Sequence, residues 1–231
     1  MEAILLAGGL GTRLVGRLQG VPKPMAPIAG RPFLEILLSQ LACAGCSRIL
    51  LSVGHLHTVI QSHFGAAFHG MRLEYVIEQV PLGTGGAIRA ALAKATEHTV
   101  LILNGDTFLQ IDYAAMLKFH AAEAARLTIA VTEQKDIARY GGMILAEKRV
   151  VGFQEKGRSG PGWINAGVYT LQRDMPWPES LTEKFSFELD FLIPNLVQIA
   201  PAAFQVNGYF LDIGVPEDLD RAQMELADIV P

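Results

Sequence analysis

The amino-terminal half of the chain alternates strand-like apolar runs with segments of helical periodicity. Strands that alternate with helices in this way form βαβ units and a parallel sheet, whose ligands bind at the carboxyl ends of the strands. The apolar runs are short and continuous, which is typical of strands buried on both faces. The strand-like runs are residues 3–7, 48–53, 71–77 and 99–103, and the helical segments are residues 31–46, 57–64 and 85–95.

The carboxy-terminal half has a different pattern. Four strand candidates follow one another with short connections, which favours antiparallel pairing. They cover residues 127–132, 142–145, 150–154 and 163–171, between a helix at residues 113–125 and a final helix at residues 217–227. We predict one α/β domain over residues 1–231 with a mixed, mostly parallel sheet. Within it, residues 1–110 form a nucleotide-type half and residues 111–231 a substrate-type half.

A glycine-rich loop follows the first predicted strand, in the segment Leu6-Ala-Gly-Gly-Leu-Gly-Thr-Arg-Leu14. Three glycines allow backbone N–H groups to turn toward one point and let a ligand approach where a Cβ would clash. Four basic residues and no acidic ones lie between Ala3 and Leu34, namely Arg13, Arg17, Lys23 and Arg31. The segment therefore predicts a local phosphate site; the alternative is a glycine-rich turn with solvated cations.

Composition excludes several classes of protein. The 19 basic and 23 acidic residues give a net charge of −4, which argues against a nucleic-acid-binding or anionic-membrane surface. No apolar run reaches about 18 residues, and the first residues lack the basic and apolar segments of a signal peptide. Cys43 and Cys46 are too few for a disulfide framework. We expect a cytoplasmic protein without nucleic-acid or membrane partners, and its oligomeric state stays open, a homodimer included.

The loop matches neither of the two commonest nucleotide-binding motifs. A Walker loop places a lysine directly after its last glycine, whereas the first lysine here is Lys23. A dinucleotide loop opens directly into a helix, whereas Pro22, Pro24 and Pro27 intervene before the first helical segment. Both alternatives are weakened, and a different phosphate-binding loop is indicated.

The loop, together with Pro22-Lys-Pro-Met25, resembles the signature of the sugar-1-phosphate nucleotidyltransferases. Further segments match in order along nearly the whole chain: Pro81-Leu-Gly-Thr-Gly-Gly86, Asn104-Gly-Asp106, Arg139-Tyr-Gly141, Phe153-Gln-Glu-Lys156, Ile164-Asn-Ala-Gly167 and Asp212-Ile-Gly214. The resemblance implies a single-domain, three-layer, Rossmann-like fold of the GT-A-like type. It also implies an enzyme that joins a nucleoside triphosphate to a sugar 1-phosphate and releases pyrophosphate.

The resemblance and the chemistry of phosphoryl transfer together assign catalytic roles. An oxygen of the sugar phosphate attacks the α-phosphorus in line, so catalysis requires positioning and charge neutralisation rather than a covalent nucleophile. Arg13 would bind the β- and γ-phosphates, and Lys23 would stabilise the charge that grows on the α-phosphate. Asp106 and Asp212, which follow apolar stretches, would bind Mg²⁺ through carboxylate oxygens. By itself, the turn at Asp106 is equally compatible with an Asx turn.

The resemblance also implies two binding regions. The nucleotide-binding residues are Leu6, Ala7, Gly8, Gly9, Gly11, Thr12, Arg13, Gln79, Gly83 and Thr84. The residues that bind the sugar phosphate are Gly141, Glu155, Lys156 and Asn165. Two local alternatives remain: Thr84 as the N-cap of a helix, and Glu155-Lys156 as an ordinary exposed pair.

Within the family, residues 21–33 and 78–86 most resemble the bacterial D-glycero-α-D-manno-heptose 1-phosphate guanylyltransferases, which use GTP and make GDP-linked heptoses for surface polysaccharides. The alternatives are mannose 1-phosphate guanylyltransferases and N-acetylmuramate 1-phosphate uridylyltransferases. A non-catalytic nucleotide-sensing domain is an alternative from another class, although the chain keeps Lys23 and both aspartates. Two departures from the family pattern are Val15, where a Pro-Leu-Thr turn usually begins, and Val215, where a threonine is usual.

Overall fold

The structure is a computed structural model that describes residues 1–9, 15–18 and 20–226. Within these ranges, ten strands form one sheet in the order β10-β11-β13-β9-β12-β7-β1-β4-β6-β5, and two further pairs, β8 with β14 and β2 with β3, lie outside it. The strands are β1 (Glu2–Leu6), β2 (Pro27–Ile28), β3 (Arg31–Pro32), β4 (Arg48–Val53), β5 (Ala67–Phe68), β6 (Met71–Ile77), β7 (Thr99–Asn104), β8 (Thr107–Leu109), β9 (Leu127–Gln134), β10 (Gly142–Ala146), β11 (Arg149–Gln154), β12 (Gly162–Gln172), β13 (Ala202–Val206) and β14 (Phe210–Asp212).

Helices cover both faces of the sheet. The α-helices are α1 (Val15–Leu18), α2 (Phe33–Cys43), α3 (His57–Phe64), α4 (Gly83–Leu92), α5 (Tyr113–Ala122), α6 (Leu196–Ile199) and α7 (Pro216–Glu225); Lys23–Met25 form a 3₁₀ turn and Phe187–Leu192 a π-helix. Leu5 packs with α2, α3, α5 and α7 in one core, whereas its neighbour Ile4 packs with α4 and the π-helix in another. This alternation follows from the period of a strand and confirms the predicted three layers.

The sheet is mixed, as predicted. Seven of its ten strands in the described residues run in the direction of β1, and β5, β11 and β12 run against it. Antiparallel pairing of β9 with β12 and of β10 with β11 confirms the expectation for the second half. The predicted strands and helices are confirmed to within a few residues. The sequence did not predict β2, β3, β5, β8, β13, β14, α1, α6, the 3₁₀ turn or the π-helix.

The register of the central strands brings the glycine-rich loop and the Asn104-Gly-Asp106 turn to the same edge. β1 pairs in parallel with both β4 and β7, and Leu6 stands opposite Ser52 on one side and Asn104 on the other. Because parallel strands end at the same edge, the loops after β1, β4, β6 and β7 converge there. None of the helices in the described ranges has the length and hydropathy that a membrane span requires.

Candidate active site

The turn after β7 closes tightly onto the end of β1. The Gly105 N–H donates to the Leu6 carbonyl at 2.9 Å, and a Cβ at Gly105 would lie 2.4 Å from that same oxygen. Only glycine fits here, because the oxygen that a Cβ would clash with belongs to the backbone and cannot rotate away as a side chain could. The turn therefore fixes Asp106 directly beside the glycine-rich loop.

We predict that Gly105→Ala lowers the free energy of unfolding by about 2–3 kcal/mol, since a backbone turn must move to admit the methyl group. Urea denaturation monitored by circular dichroism measures the change. Gly162→Ala is the control, because its Cβ would meet the flexible end of Ile137 at 3.3 Å. Equal stability of the two variants would contradict the packing argument.

A cleft of about 440 Å³ lies at this edge of the sheet. It is lined by seven of the residues predicted from the sequence: Leu6, Gly8, Gly9, Lys23, Gly83, Thr84 and Asp106. Gln79 instead lines an adjoining cavity of about 460 Å³, together with Gly8 and the loop that follows β4. Ala7 is buried at the end of β1. The predicted residues Gly11, Thr12 and Arg13 lie outside the described residues.

Glu78 connects the loops that border the cleft. Its Oε1 accepts a hydrogen bond from Ser52 at the end of β4, at 3.1 Å, and its Oε2 accepts one from the Leu82 N–H, at 3.0 Å. A Cβ at Gly8 would lie 2.5 Å from Glu78 Oε1, so the glycine-rich loop rests on this carboxylate. No local signal in the sequence predicted this role for Glu78, although Glu78 begins the resembling segment of residues 78–86.

The glycines at the start of α4, which line the cleft or lie next to it, also allow another segment of the chain to pack closely against this helix. Cβ atoms at Gly83, Gly85 and Gly86 would lie within 2.6 Å of Phe185 or Glu183, so the three glycines admit the segment that precedes the π-helix. The alternative that Thr84 is the N-cap of α4 is wrong, because Leu82 occupies the N-cap position. The Thr84 hydroxyl accepts a hydrogen bond from the Phe187 N–H at 2.9 Å instead.

Lys23 enters the cleft from a short 3₁₀ turn that is held by its buried neighbours Pro24 and Met25. Its Nζ lies 2.6 Å from Asp106 Oδ2, and only 12% of its side chain is exposed. A lysine held by its neighbours and paired at one end presents its charge at a fixed point, which suits a binding site for an anionic oxygen.

Asp212 reaches the same place from the other half of the chain. The antiparallel pair β8–β14 sets Asp212 opposite Thr107, next to Asp106. Its Oδ1 accepts from the Gly214 N–H at 2.7 Å, and its Oδ2 lies 3.4 Å from Nη2 of Arg139. Burial raises the pKa of Asp212, and the charge of Asp106 raises it further, whereas Lys23 and Arg139 lower it. The two carboxylates are therefore close enough to repel each other.

Arg139 is a second residue whose role the sequence analysis missed. It ion-pairs with Asp218, which is 5% exposed, and also with Asp212. Asp218 in turn accepts a hydrogen bond from Arg221 at 3.0 Å within α7. Arg139 thereby links Asp212 to the last helix.

The carboxylates of Asp106 and Asp212 fit Mg²⁺. Their oxygens are the hard donors that this ion prefers, and a cation between them would relieve their repulsion. The described residues contain no group of three or more metal-ligating side chains. Mg²⁺ is commonly held by one or two carboxylates together with substrate phosphates and water, so a pair of aspartates is sufficient.

The predicted sugar-phosphate residues lie on β10, β11 and β12 or directly beside them. Gly141 has φ +81°, and a Cβ there would lie 3.0 Å from the Gln154 carbonyl and 3.5 Å from Cγ of Lys156. Glu155 and Lys156 follow β11 and are exposed. Asn165 Oδ1 accepts from the Gly167 N–H at 3.0 Å, and its Nδ2 donates to the Tyr169 hydroxyl at 2.9 Å. One Asn165 N–H remains for a ligand.

Comparison with known proteins agrees with this architecture. The chain matches the Nucleotidyl transferase family over residues 2–229. It is 46% identical to a D-glycero-alpha-D-manno-heptose 1-phosphate guanylyltransferase of Aneurinibacillus thermoaerophilus, with 98% of each chain covered. It is 41% identical to the protein of the same description from Campylobacter jejuni, with 94% of this chain and 96% of that one covered.

A solved structure is also similar. The crystal structure of HddC from Yersinia pseudotuberculosis complexed with GMP-PN superimposes with a TM-score of 0.84 and 36% identity, covering 97% of this chain and 99% of that one. The family match spans both the glycine-rich loop and the carboxylates that face it. The chain therefore belongs to the nucleotidyl transferase family, as its motifs predicted.

Proposed function

We propose that the protein transfers a guanosine monophosphate unit from GTP to a manno-heptose 1-phosphate and releases pyrophosphate. The observation that carries the proposal is the pair formed by Lys23 and Asp106 in a cleft between two glycine-rich loops. The choice of GTP and of a heptose is supported by the descriptions of the two guanylyltransferase relatives and by the nucleotide analogue in the similar crystal structure.

The chemistry follows from this arrangement of charges. An oxygen of the sugar phosphate forms a bond to the α-phosphorus of GTP, while the bond from that phosphorus to the β-phosphate oxygen breaks and its electrons leave with pyrophosphate. Lys23 binds the α-phosphate and stabilises its growing negative charge. Gly8 and Gly9 allow the phosphates to approach the backbone after β1. Arg13, in the same loop, would bind the β- and γ-phosphates.

Asp106 and Asp212 would hold Mg²⁺, which supplies positive charge to the phosphate oxygens when it is bound. Arg139 would help to fix the position of Asp212 through the ion pair described above. Gly141, Glu155, Lys156 and Asn165 would bind the sugar phosphate. We also propose that residues 1–110 and 111–231 divide the two substrates between them, and that the protein is cytoplasmic, which its free Cys43 and Cys46 fit.

A pyrophosphate-release assay tests this function. GTP, ATP, CTP and UTP are each combined with the 1-phosphates of D-glycero-D-manno-heptose, mannose, glucose and N-acetylmuramate. The expected result is the highest kcat/KM with GTP and the heptose 1-phosphate, and a loss of activity in excess chelator that added Mg²⁺ restores. Preference for mannose 1-phosphate or for UTP would support one of the two alternative specificities. No release with any pair would favour a non-catalytic nucleotide sensor.

A further inference from the structure

Glu188 lies on a segment that contacts the nucleotide side of the cleft directly. The carbonyl of Phe185 accepts a hydrogen bond from the Gly85 N–H at 3.0 Å, and the Phe187 N–H donates to Thr84 at 2.9 Å. The π-helix that follows is anchored by the buried side chains of Phe187 and Phe191. π-Helical turns are rare and are frequent at functional sites. The segment therefore holds Glu188 in a fixed position beside the start of α4.

The Glu188 carboxylate is partly buried and has no hydrogen-bond or ion-pair partner within residues 1–9, 15–18 and 20–226. No side chain or backbone N–H of the described residues donates a hydrogen bond to it, and no cation of these residues lies within ion-pair distance. Removal from water raises its pKa, and the charge of Lys156 lowers it. Polar groups withdrawn from water are normally hydrogen-bonded, so a carboxylate without a partner is an acceptor available to a ligand.

The neighbours of Glu188 belong to the proposed sugar-phosphate region. The buried hydroxyl of Tyr169 accepts a hydrogen bond from Asn165. Burial raises the pKa of Tyr169, and the charge of Glu188 raises it further. The ring of Phe187 also packs edge-on against Tyr169, with 5.2 Å between the ring centroids. Phe187 directly precedes Glu188, so the π-helix places Glu188 next to the pair formed by Tyr169 and Asn165. The family resemblance assigns Asn165 to the sugar phosphate.

The charge of Glu188 selects the part of a substrate that it can contact. A carboxylate repels the phosphates of GTP and of the sugar phosphate, but it is a strong acceptor for neutral hydroxyl groups. Lys156, which is exposed and which the resemblance assigns to the sugar phosphate, can take the phosphate of the same substrate. A ligand with one phosphate and a ring of hydroxyls would satisfy both side chains.

Taking the proposed function as its basis, we infer that Glu188 binds the sugar of the sugar 1-phosphate by accepting hydrogen bonds from its ring hydroxyls. Glu188 is then a specificity-determining residue that the family motifs did not reveal. Sugars that lack the contacted hydroxyl, or direct it away, would leave the carboxylate unpaired.

Steady-state kinetics of Glu188→Gln and Glu188→Ala test this inference. The expected result is a rise of about tenfold or more in KM for the sugar 1-phosphate with Glu188→Ala, and a smaller rise with Glu188→Gln, which keeps one acceptor. KM for GTP should stay within about twofold. Glu179→Gln is the charge-matched control, because Glu179 is exposed and lines a different cavity, beside Trp177.

Substrates that lack one hydroxyl group each can identify the sugar hydroxyl that Glu188 contacts. Monodeoxy analogues of the sugar 1-phosphate should lose kcat/KM with the wild-type protein, and for one analogue the loss should disappear in Glu188→Ala. An unchanged KM for the sugar, an equal rise in KM for both substrates, or a loss that persists for every analogue would overturn the inference while leaving the proposed function intact. Absence of pyrophosphate release by the wild-type protein would instead overturn both.

Discussion

Lys23→Ala is expected to lower kcat by about 10²- to 10³-fold, the loss that follows removal of one preorganised donor to a transition-state anion. Lys23 is the cationic side chain among the described residues that line the cleft, and its ammonium group is 2.6 Å from Asp106. Because 88% of its side chain is withdrawn from water, little solvent can replace it. The α-phosphate would then lack the positive charge of this ammonium group as its own negative charge grows.

The effect should appear in kcat more than in KM, because the charge on the α-phosphate grows only as the reaction proceeds. Single-turnover measurement of pyrophosphate release with saturating substrates checks this. Lys118→Ala on α5 is the control, since its side chain is exposed and does not line the cleft. Lys23→Arg should recover only part of the rate, because a guanidinium is larger and planar. Turnover of Lys23→Ala within about threefold of the wild-type rate would be incompatible with the proposed role.

The amino-terminal half could be predicted from the sequence because its signals are local. Residues 3–7 are apolar on both faces of a strand, and the structure buries Ala3 and Leu5 in one core and Ile4 in the other. The glycines after β1 indicated close backbone approach, and Gly105 after β7 shows an approach of this kind in the structure. The convergence of these loops followed from the parallel topology alone.

Other parts of the site depend on contacts that are distant in sequence. Asp212 reaches Asp106 through β8 and β14, which have three residues each and are too short to give a periodic signal. Arg139 pairs with a residue 79 positions away, and no local pattern specifies such a partner. A helix N-cap was the local alternative for Thr84, but its hydroxyl accepts a hydrogen bond from the N–H of Phe187, 103 residues later. The family resemblance predicted that Asp106 and Asp212 act together. The contacts of Arg139 and Thr84 became known only from the structure.

Asp106→Asn and Asp212→Asn are each expected to lower kcat by about 10³-fold or more, because loss of a metal ligand removes several kcal/mol of transition-state stabilisation. The stability of Asp212→Asn should rise or stay unchanged, because burial and the charge of Asp106 raise the pKa of Asp212. Asparagine keeps an oxygen that can accept from the Gly214 N–H, and it removes the repulsion between two neighbouring carboxylates. Loss of activity without loss of stability is expected where charged side chains are placed for ligand binding rather than for folding.

The two substitutions should also not be additive. If both aspartates hold one ion, the double variant Asp106→Asn, Asp212→Asn will lose no more activity than the worse single variant, and each will need a higher Mg²⁺ concentration for half-maximal rate. Mg²⁺ titration of initial rates and thermal melting without nucleotide measure the two effects, with Asp174→Asn as an exposed control. Independent losses that multiply in the double variant, with unchanged Mg²⁺ dependence, would mean that the carboxylates serve separate purposes. The pairing of Asp212 with Arg139 would then be structural, and the metal site would have to lie elsewhere.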